Sequence, residues 1–396
     1  MKNWTDSPFR RTVHRSVVDG YGPSDVVAED NGESSVIYRA PGNPDWLVKL
    51  YKPGANVRHT ALDDLIELPG QMLPDDRALV DRSVAWPVAR VVDGYRTVGA
   101  IMARADEKFS WDVALLQGRT RRQVIEVDLL ANPRERIERL GLPVPGAPLR
   151  LAAMREVVAV AALFERHDLV YGDWSFSNAF WAPGTSNVLV IDMDTARLGR
   201  RARVETPTWE DPLAKNAKTI TTHSDRYKVA LLVARAATGL RKERREAVEE
   251  MARLYPSYPG LVDLLRKCIT APTPAARPKL GELLAAMDRR PAGARPDAPP
   301  AGANVTRTVP WNPGGRRRAT GATPRPNPLP PKPAPKPTAR PAPKPAPRSA
   351  PRPTPKPNPA TAPPTTRPAG RRLDQRDGRA RSGSLPCSCW PSWSCS

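Results

Sequence analysis

Cysteine is nearly missing from the first 290 positions of this 396-residue chain. Cys268 stands alone there, and the other three, Cys387, Cys389 and Cys395, crowd the C-terminus. One thiol makes no disulfide framework, so the main body is expected to fold in a reducing compartment, the cytoplasm. Long apolar runs are missing too. Nothing approaches the ~18 apolar residues of a membrane-spanning helix, so no transmembrane segment is expected. The opening Met1-Lys2-Asn3-Trp4-Thr5-Asp6 has no apolar stretch of the kind that marks a secretory signal.

Acidic residues are scarce at one end. From Arg295 to Arg381 the sequence carries 19 Lys and Arg against three acids, a net of +16 out of +21 for the whole chain. The remainder is only mildly basic and long enough for a large core. These shifts divide the chain into an N-terminal extension (1–24), a globular body (25–290) and a Pro-rich basic tail (291–396). In the tail Lys332, Lys336, Arg340, Lys344, Arg348, Arg352 and Lys356 fall every fourth residue, mostly before Pro. Such a composition buries no core and is expected to stay extended as polyproline II. It reads as a spacer first, and otherwise as a ligand for Pro-recognition modules or an arm for polyanions. No base-reading module accompanies it. The terminal cysteines would bind zinc only with a further ligand.

In the body, Val36-Ile37-Tyr38-Arg39 and Trp46-Leu47-Val48-Lys49-Leu50-Tyr51 read as strands, the second with a lysine set inside it. A lysine buried in a strand needs an anionic partner. His59 to Leu73 has helical spacing, and its Glu67 is a candidate for that role, with Asp63 and Asp64 as competitors. Trp86–Val92, the turn Asp93-Gly94 and Tyr95–Met102 form a hairpin signature. Residues 107–147 are charged, interrupted by proline, and read as helices with loops. Leu149–Arg166 is a strong buried helix. Further helices are expected from Ser224 to Ala237, ended by Gly239, and over 241–254, 261–268 and 280–287.

Between these helices lies the chemistry-bearing stretch Tyr171-Gly172-Asp173-Trp174-Ser175-Phe176-Ser177-Asn178. The apolar run Val188-Leu189-Val190-Ile191 follows, ending in Asp192-Met193-Asp194. An Asp, an Asn five residues on, and an Asp closing a strand suit phosphoryl transfer. One carboxylate orients a hydroxyl, and the other two side chains hold magnesium on a nucleotide's phosphates.

Taken in order, these pieces resemble a eukaryotic-type protein kinase domain over residues 25–290. Lys49 resembles the strand lysine of V-A-I-K, and Glu67 its helix partner. Asp173 and Asn178 match D-x-x-x-x-N of the catalytic loop, and Asp192 the aspartate of D-F-G. Ser224-Asp225-Arg226-Tyr227 is similar to the S-D-x-Y helix start, and Cys268 to Arg277-Pro278 to the C-x-x-x-x-P-x-x-R-P ending. More narrowly, Gly172-Asp173 and Asp192-Met193-Asp194-Thr195 resemble a bacterial subgroup of kinase-like proteins. Those are often encoded beside a metal-dependent phosphatase and a von Willebrand A-type protein. The resemblance implies an α+β, two-lobed kinase-like fold and ATP- and Mg2+-dependent transfer to Ser/Thr hydroxyls of protein substrates. It implies nucleotide contacts from Gly32, Val36, Lys49, Glu67, Met102 at the adenine hinge, Asn178 and Asp192. It also implies metal ligation by Asn178 and Asp192, with Asp173 and Lys49 as catalytic residues. Thr195, Thr206 and Thr208 become candidate autophosphorylation sites.

The chain departs from that pattern at several places. Only Gly32 remains in the nucleotide loop, so fewer backbone amides can approach phosphates closely. Tyr171-Gly172 stands where His-Arg is usual. Leu213 stands where a glutamate normally pairs with the terminal arginine, so Arg277 requires Glu210 or Asp211 instead. Two alternatives stay open: a pseudokinase scaffold that binds nucleotide without efficient transfer, and a small-molecule phosphotransferase of the aminoglycoside or choline type.

Overall fold

The computed structural model describes residues 1–289, apart from 31, 33, 56–58, 116–117, 205 and 242–243. The tail lies outside the described residues, and with it every expectation about its conformation.

The architecture is mixed α+β. A six-stranded sheet in the order β1-β5-β6-β4-β3-β2 is built from β1 (Thr12–His14), β2 (Val26–Glu29), β3 (Ser34–Ala40), β4 (Asn43–Tyr51), β5 (Pro87–Asp93) and β6 (Arg96–Ala103). Only β1 pairs in parallel, on β5; the other pairings are antiparallel. Alternation along β4 divides its side chains between two layers. Trp46, Val48 and Leu50 join Tyr38, Val91 and Ile101 on one face. Leu47 and Tyr51 point to the opposite face, toward the helices, as does Lys49 between them.

Residues 1–24 do not stand apart as an extension. Val13 and Val18 complete the first face of the sheet, and Tyr21 stacks on Tyr38 with centroids 3.8 Å apart. Trp4 donates its indole N–H to Ile66 O at 3.1 Å. A short α1 (Arg15–Val18) follows β1. The physical reason is cover. A sheet face carrying Tyr38, Val48 and Ile101 would otherwise meet water, and scattered apolar residues in a polar-looking segment suffice to close it.

Between β4 and β5 the expected single helix to Leu73 is two. α2 (His59–Glu67) ends in a 3-10 turn, because Pro69 has no N–H for an α-helical bond. The second helix, α3 (Pro74–Ser83), starts with Pro at its first position, where the missing donor costs nothing.

The stretch read as helices and loops opens with a hairpin instead. β7 (Ser110–Ala114) pairs with β8 (Thr120–Val124). Phe109 and Val113 are buried at its base while most of β8 is exposed. Charged residues on the open side of a ribbon hide the period-2 signal. α4 (Arg134–Arg139) then leads to α5 (Ala147–Arg166).

The helical core forms around α5 and α6 (Thr222–Thr238), which pack on each other, with α7 (Arg244–Leu254), α8 (Pro259–Thr270) and α9 (Leu280–Asp288) against them. α5 buries Met154, Val157, Val158, Leu163 and Phe164 almost completely. Each such side chain contributes about 1.5–3 kcal/mol on transfer from water. Gly239 ends α6 in the left-handed conformation, φ 81°, as its glycine suggests. Between α5 and α6 run short strand pairs: β9 (Leu169–Val170), β10 (Ala179–Trp181), β11 (Val188–Val190), β12 (Arg197–Leu198), β13 (Arg201–Ala202) and β14 (Thr219–Ile220). β10 pairs with β11, β12 with β9, and β13 with β14. No helix among the described residues is long and apolar enough to cross a membrane.

Candidate active site

The loop after β9 is fastened from below by α6. Asp225, buried in the first turn of that helix, accepts the amides of Tyr171 and Gly172 at 2.9 and 2.8 Å. Burial pushes its carboxyl up to about 7, against the pull of those amides, Lys228 and Arg201. The fully buried Lys228 donates to Gly172 O at 2.8 Å. Arg201, from β13, donates to Tyr171 O. Tyr171 is buried, and its hydroxyl donates to Ile191 O at 2.8 Å, tying this loop to the residue before Asp192. Burial first, then Asp173 and Asp192, hold that phenol well above its usual pKa, so it stays a donor.

Gly172 has φ +73°, and a Cβ there would lie 2.7 Å from Ile220 Cδ1 and 3.1 Å from Arg201 Cδ. Glycine is therefore required for backbone conformation and for space. The room beside it is taken by Arg201.

Asp173 is half-buried at the head of the loop. Asn178 closes it by donating Nδ2 to Asp173 O at 2.7 Å. Ile191 N donates to Asn178 O at 3.1 Å, which sets Asp192 beside Asn178. Asp192 itself adopts φ 56°, ψ 38°, a left-handed geometry that Asp tolerates better than most residues.

Lys49 reaches this point from β4. Its Nζ lies 2.9 Å from Asp194 Oδ1 and 3.1 Å from Asp192 Oδ1. The lysine side chain is 6% exposed, Asp194 0% and Asp192 34%. Burial alone would lower the lysine's pKa, but the two carboxylates outweigh it and hold the ammonium charged. Asp194 is pushed up by burial and pulled down further by Lys49, so it stays ionised.

Several expected contacts differ. Glu67 does not meet Lys49. It is exposed at the end of α2, on the side of Arg11. Of its competitors, Asp63 pairs with Arg90 at 2.7 Å and Asp64 is exposed. The residue that sequence reasoning missed is Asp194, whose signal was the second acid of the D-x-D run. Val36 turns to the other sheet face, against the layer of Tyr38, because β3 carries a register shift between Ser34 and Val36. Ile37 is the residue opposite Lys49. Met102 is buried within β6, flanked by Leu47 and Pro87, and the Arg104 amide is already taken by Asp45 O at 2.8 Å. Gly32 occupies the turn between β2 and β3 with φ 57°.

The segment after Asp194 folds back over the loop. Thr206 donates its hydroxyl to Asp173 Oδ1 at 2.8 Å. Trp209 packs edge-on against Phe176, centroids 4.9 Å apart, and carries the Arg235 guanidinium 4.7 Å above its ring. Thr208 sits at φ 72°, costly for a β-branched residue, with its carbonyl accepting from Arg235 at 3.2 Å. Asp211 is the partner that Arg277 requires. Two bonds of 2.7 and 2.6 Å join the buried pair, while Leu213 is partly exposed.

Among the described residues no cluster of three His, Cys, Asp or Glu could hold a metal. The donor set that remains is Asn178 and Asp192. Asn178 Nδ2 is spent on Asp173 O, leaving its Oδ1 for a cation, and the partly exposed Asp192 keeps one carboxylate oxygen off Lys49. Two hard oxygens of this kind fit magnesium, which takes few protein ligands and completes its shell with water and phosphate. No model of a known protein family matches this chain, and the comparison with curated proteins found no match.

Proposed function

We propose that this protein is an ATP- and Mg2+-dependent phosphotransferase of the protein-kinase kind, with a two-lobed kinase-like fold and Ser/Thr hydroxyls of proteins as acceptors. The observation that carries the reading is the Thr206 hydroxyl on Asp173 Oδ1 at 2.8 Å. It makes the contact an acceptor hydroxyl would make, in a site where Lys49, Asn178 and Asp192 also converge. Asp173 orients the acceptor and takes its proton as the hydroxyl oxygen bonds to the γ-phosphorus and the bond to the leaving diphosphate breaks. Lys49 binds the phosphates of the nucleotide. Asn178 and Asp192 would hold magnesium, which neutralises phosphate charge when bound. Most of the rate gain then comes from positioning and preorganised charge.

The test uses γ-labelled ATP with Mg2+ on the full chain and on generic protein substrates, comparing the wild type with Asp173→Asn. The expected result is transfer by the wild type and a loss of about 10²–10⁴-fold in kcat for the variant, the usual worth of a general base, with nucleotide binding retained. Transfer unchanged in Asp173→Asn would refute the assignment. The second reading, a nucleotide-binding scaffold, is favoured by the sparse loop around Gly32 and by Lys49 being bonded to two carboxylates. ATP binding with no transfer by the wild type would establish it.

A further inference from the structure

We propose that Asp194, rather than an acid on the helix after β4, is the positioning residue for Lys49, so that the lysine is anchored by the same short turn that carries Asp192. The proposal rests on the phosphotransferase reading for its meaning, but the geometry that supports it stands alone.

The two carboxylates on Lys49 are not equivalent. Asp192 is 34% exposed and stands beside Asn178, so a cation can draw it away from the lysine at little cost. Asp194 is 0% exposed and 2.9 Å from Lys49 Nζ. A carboxylate that deep cannot lose its counter-ion without a large desolvation penalty. Asp192 is thus the partner Lys49 can release when nucleotide arrives, and Asp194 the one it keeps.

The turn that presents Asp194 is itself fixed. Met193 is fully buried, the Ala196 amide closes the 3-10 turn on Met193 O at 2.9 Å, and Arg197 donates to Asp194 O at 3.0 Å. Among the described residues of α2 no acid competes. Glu67 is exposed and Asp63 is engaged by Arg90. α2 packs near this turn but supplies no counter-charge to the lysine. A shift of α2 therefore leaves the anchor intact, whereas any rearrangement of residues 192–195 breaks it. Control over phosphate binding accordingly belongs to that turn.

The experiment measures acylation of Lys49 by an N-hydroxysuccinimide acetate, read by peptide mass spectrometry, alongside steady-state kinetics with ATP. The proteins are wild type, Asp194→Asn, Asp194→Glu and Glu67→Gln. Asp194→Asn is expected to acylate Lys49 several-fold faster, because the side chain loses its buried tether and is left only with the partly exposed Asp192. It is also expected to raise the KM for ATP more than it lowers kcat. Asp194→Glu should recover part of both, and Glu67→Gln should match the wild type. Unchanged acylation in Asp194→Asn, or faster acylation in Glu67→Gln, overturns the proposal. The Glu67→Gln arm alters an exposed side chain and so reports even where a buried variant fails to fold. If the wild type transfers no phosphate while the acylation contrast holds, the phosphotransferase reading fails and the anchor stands.

Discussion

The Asp211–Arg277 pair offers the most quantitative test of how this body is held together. Both side chains are essentially out of water, 0% and 1% exposed, and joined by bonds of 2.7 and 2.6 Å. Arg277 also donates to His223 O at 2.8 Å, Arg226 donates to Arg277 O, and Asp211 accepts the Leu213 amide at 3.0 Å. Asp211→Asn removes the negative charge while keeping the shape, leaving a buried guanidinium with no counter-ion. Breaking a buried pair in this way costs about 3–5 kcal/mol. At about 2–4 °C per kcal/mol for a large domain, the melting temperature falls by roughly 6–20 °C. The double variant Asp211→Asn/Arg277→Met removes both charges and should lose far less than the sum of the single losses. The acid also sets a pH dependence. Asp211 is pushed up by burial and pulled down further by Arg277, so its native pKa lies below the ordinary 3.8. A depressed acid contributes stability that is full above its unfolded pKa. That stability is lost as pH falls through the native one, so the gap between wild type and variant should stay full down to about pH 4 and close only below it. Calorimetric melts at several pH values supply the measurement. Single losses that add to within about 0.5 kcal/mol of the double would refute the coupling.

Two further outcomes follow from the geometry. Gly172→Ala forces a side chain into φ +73° and against Ile220, and should lower stability by about 1–3 kcal/mol in a denaturant titration. A value near zero would show that Ile220 and Arg201 yield freely. Cys268 is buried and its thiol is pushed up to about 12 by burial, so its peptide should stay unmodified by iodoacetamide in the native protein and become modified in urea.

Much of this organisation was legible in the residues. β-branched and aromatic runs marked β3 and β4, apolar residues on one helical face marked α5, an apolar run marked α6, and Gly239 marked where α6 stops. The spacing of Asp173, Asn178 and Asp192 anticipated that they would gather where Lys49 arrives, and the structure brings all four to one place. What was not legible depends on contacts remote in sequence. Glu67 and Asp194 are both plausible partners for a strand lysine, and only the packing of the 193–195 turn chooses between them. A one-residue register shift in β3 exchanges the roles of Val36 and Ile37. The cover provided by residues 1–24 is a tertiary role that a polar composition conceals. For Arg277 the sequence narrowed the choice to Glu210 or Asp211, and burial decided it.

The fit between Gly172 and Arg201 constrains substitution at both positions. Placing an arginine at 172 would collide with Ile220 and with Arg201 already lodged there. Removing Arg201 first would strip the Tyr171 carbonyl of its donor. The two positions are therefore coupled: the side chain allowed at 172 depends on what stands at 201.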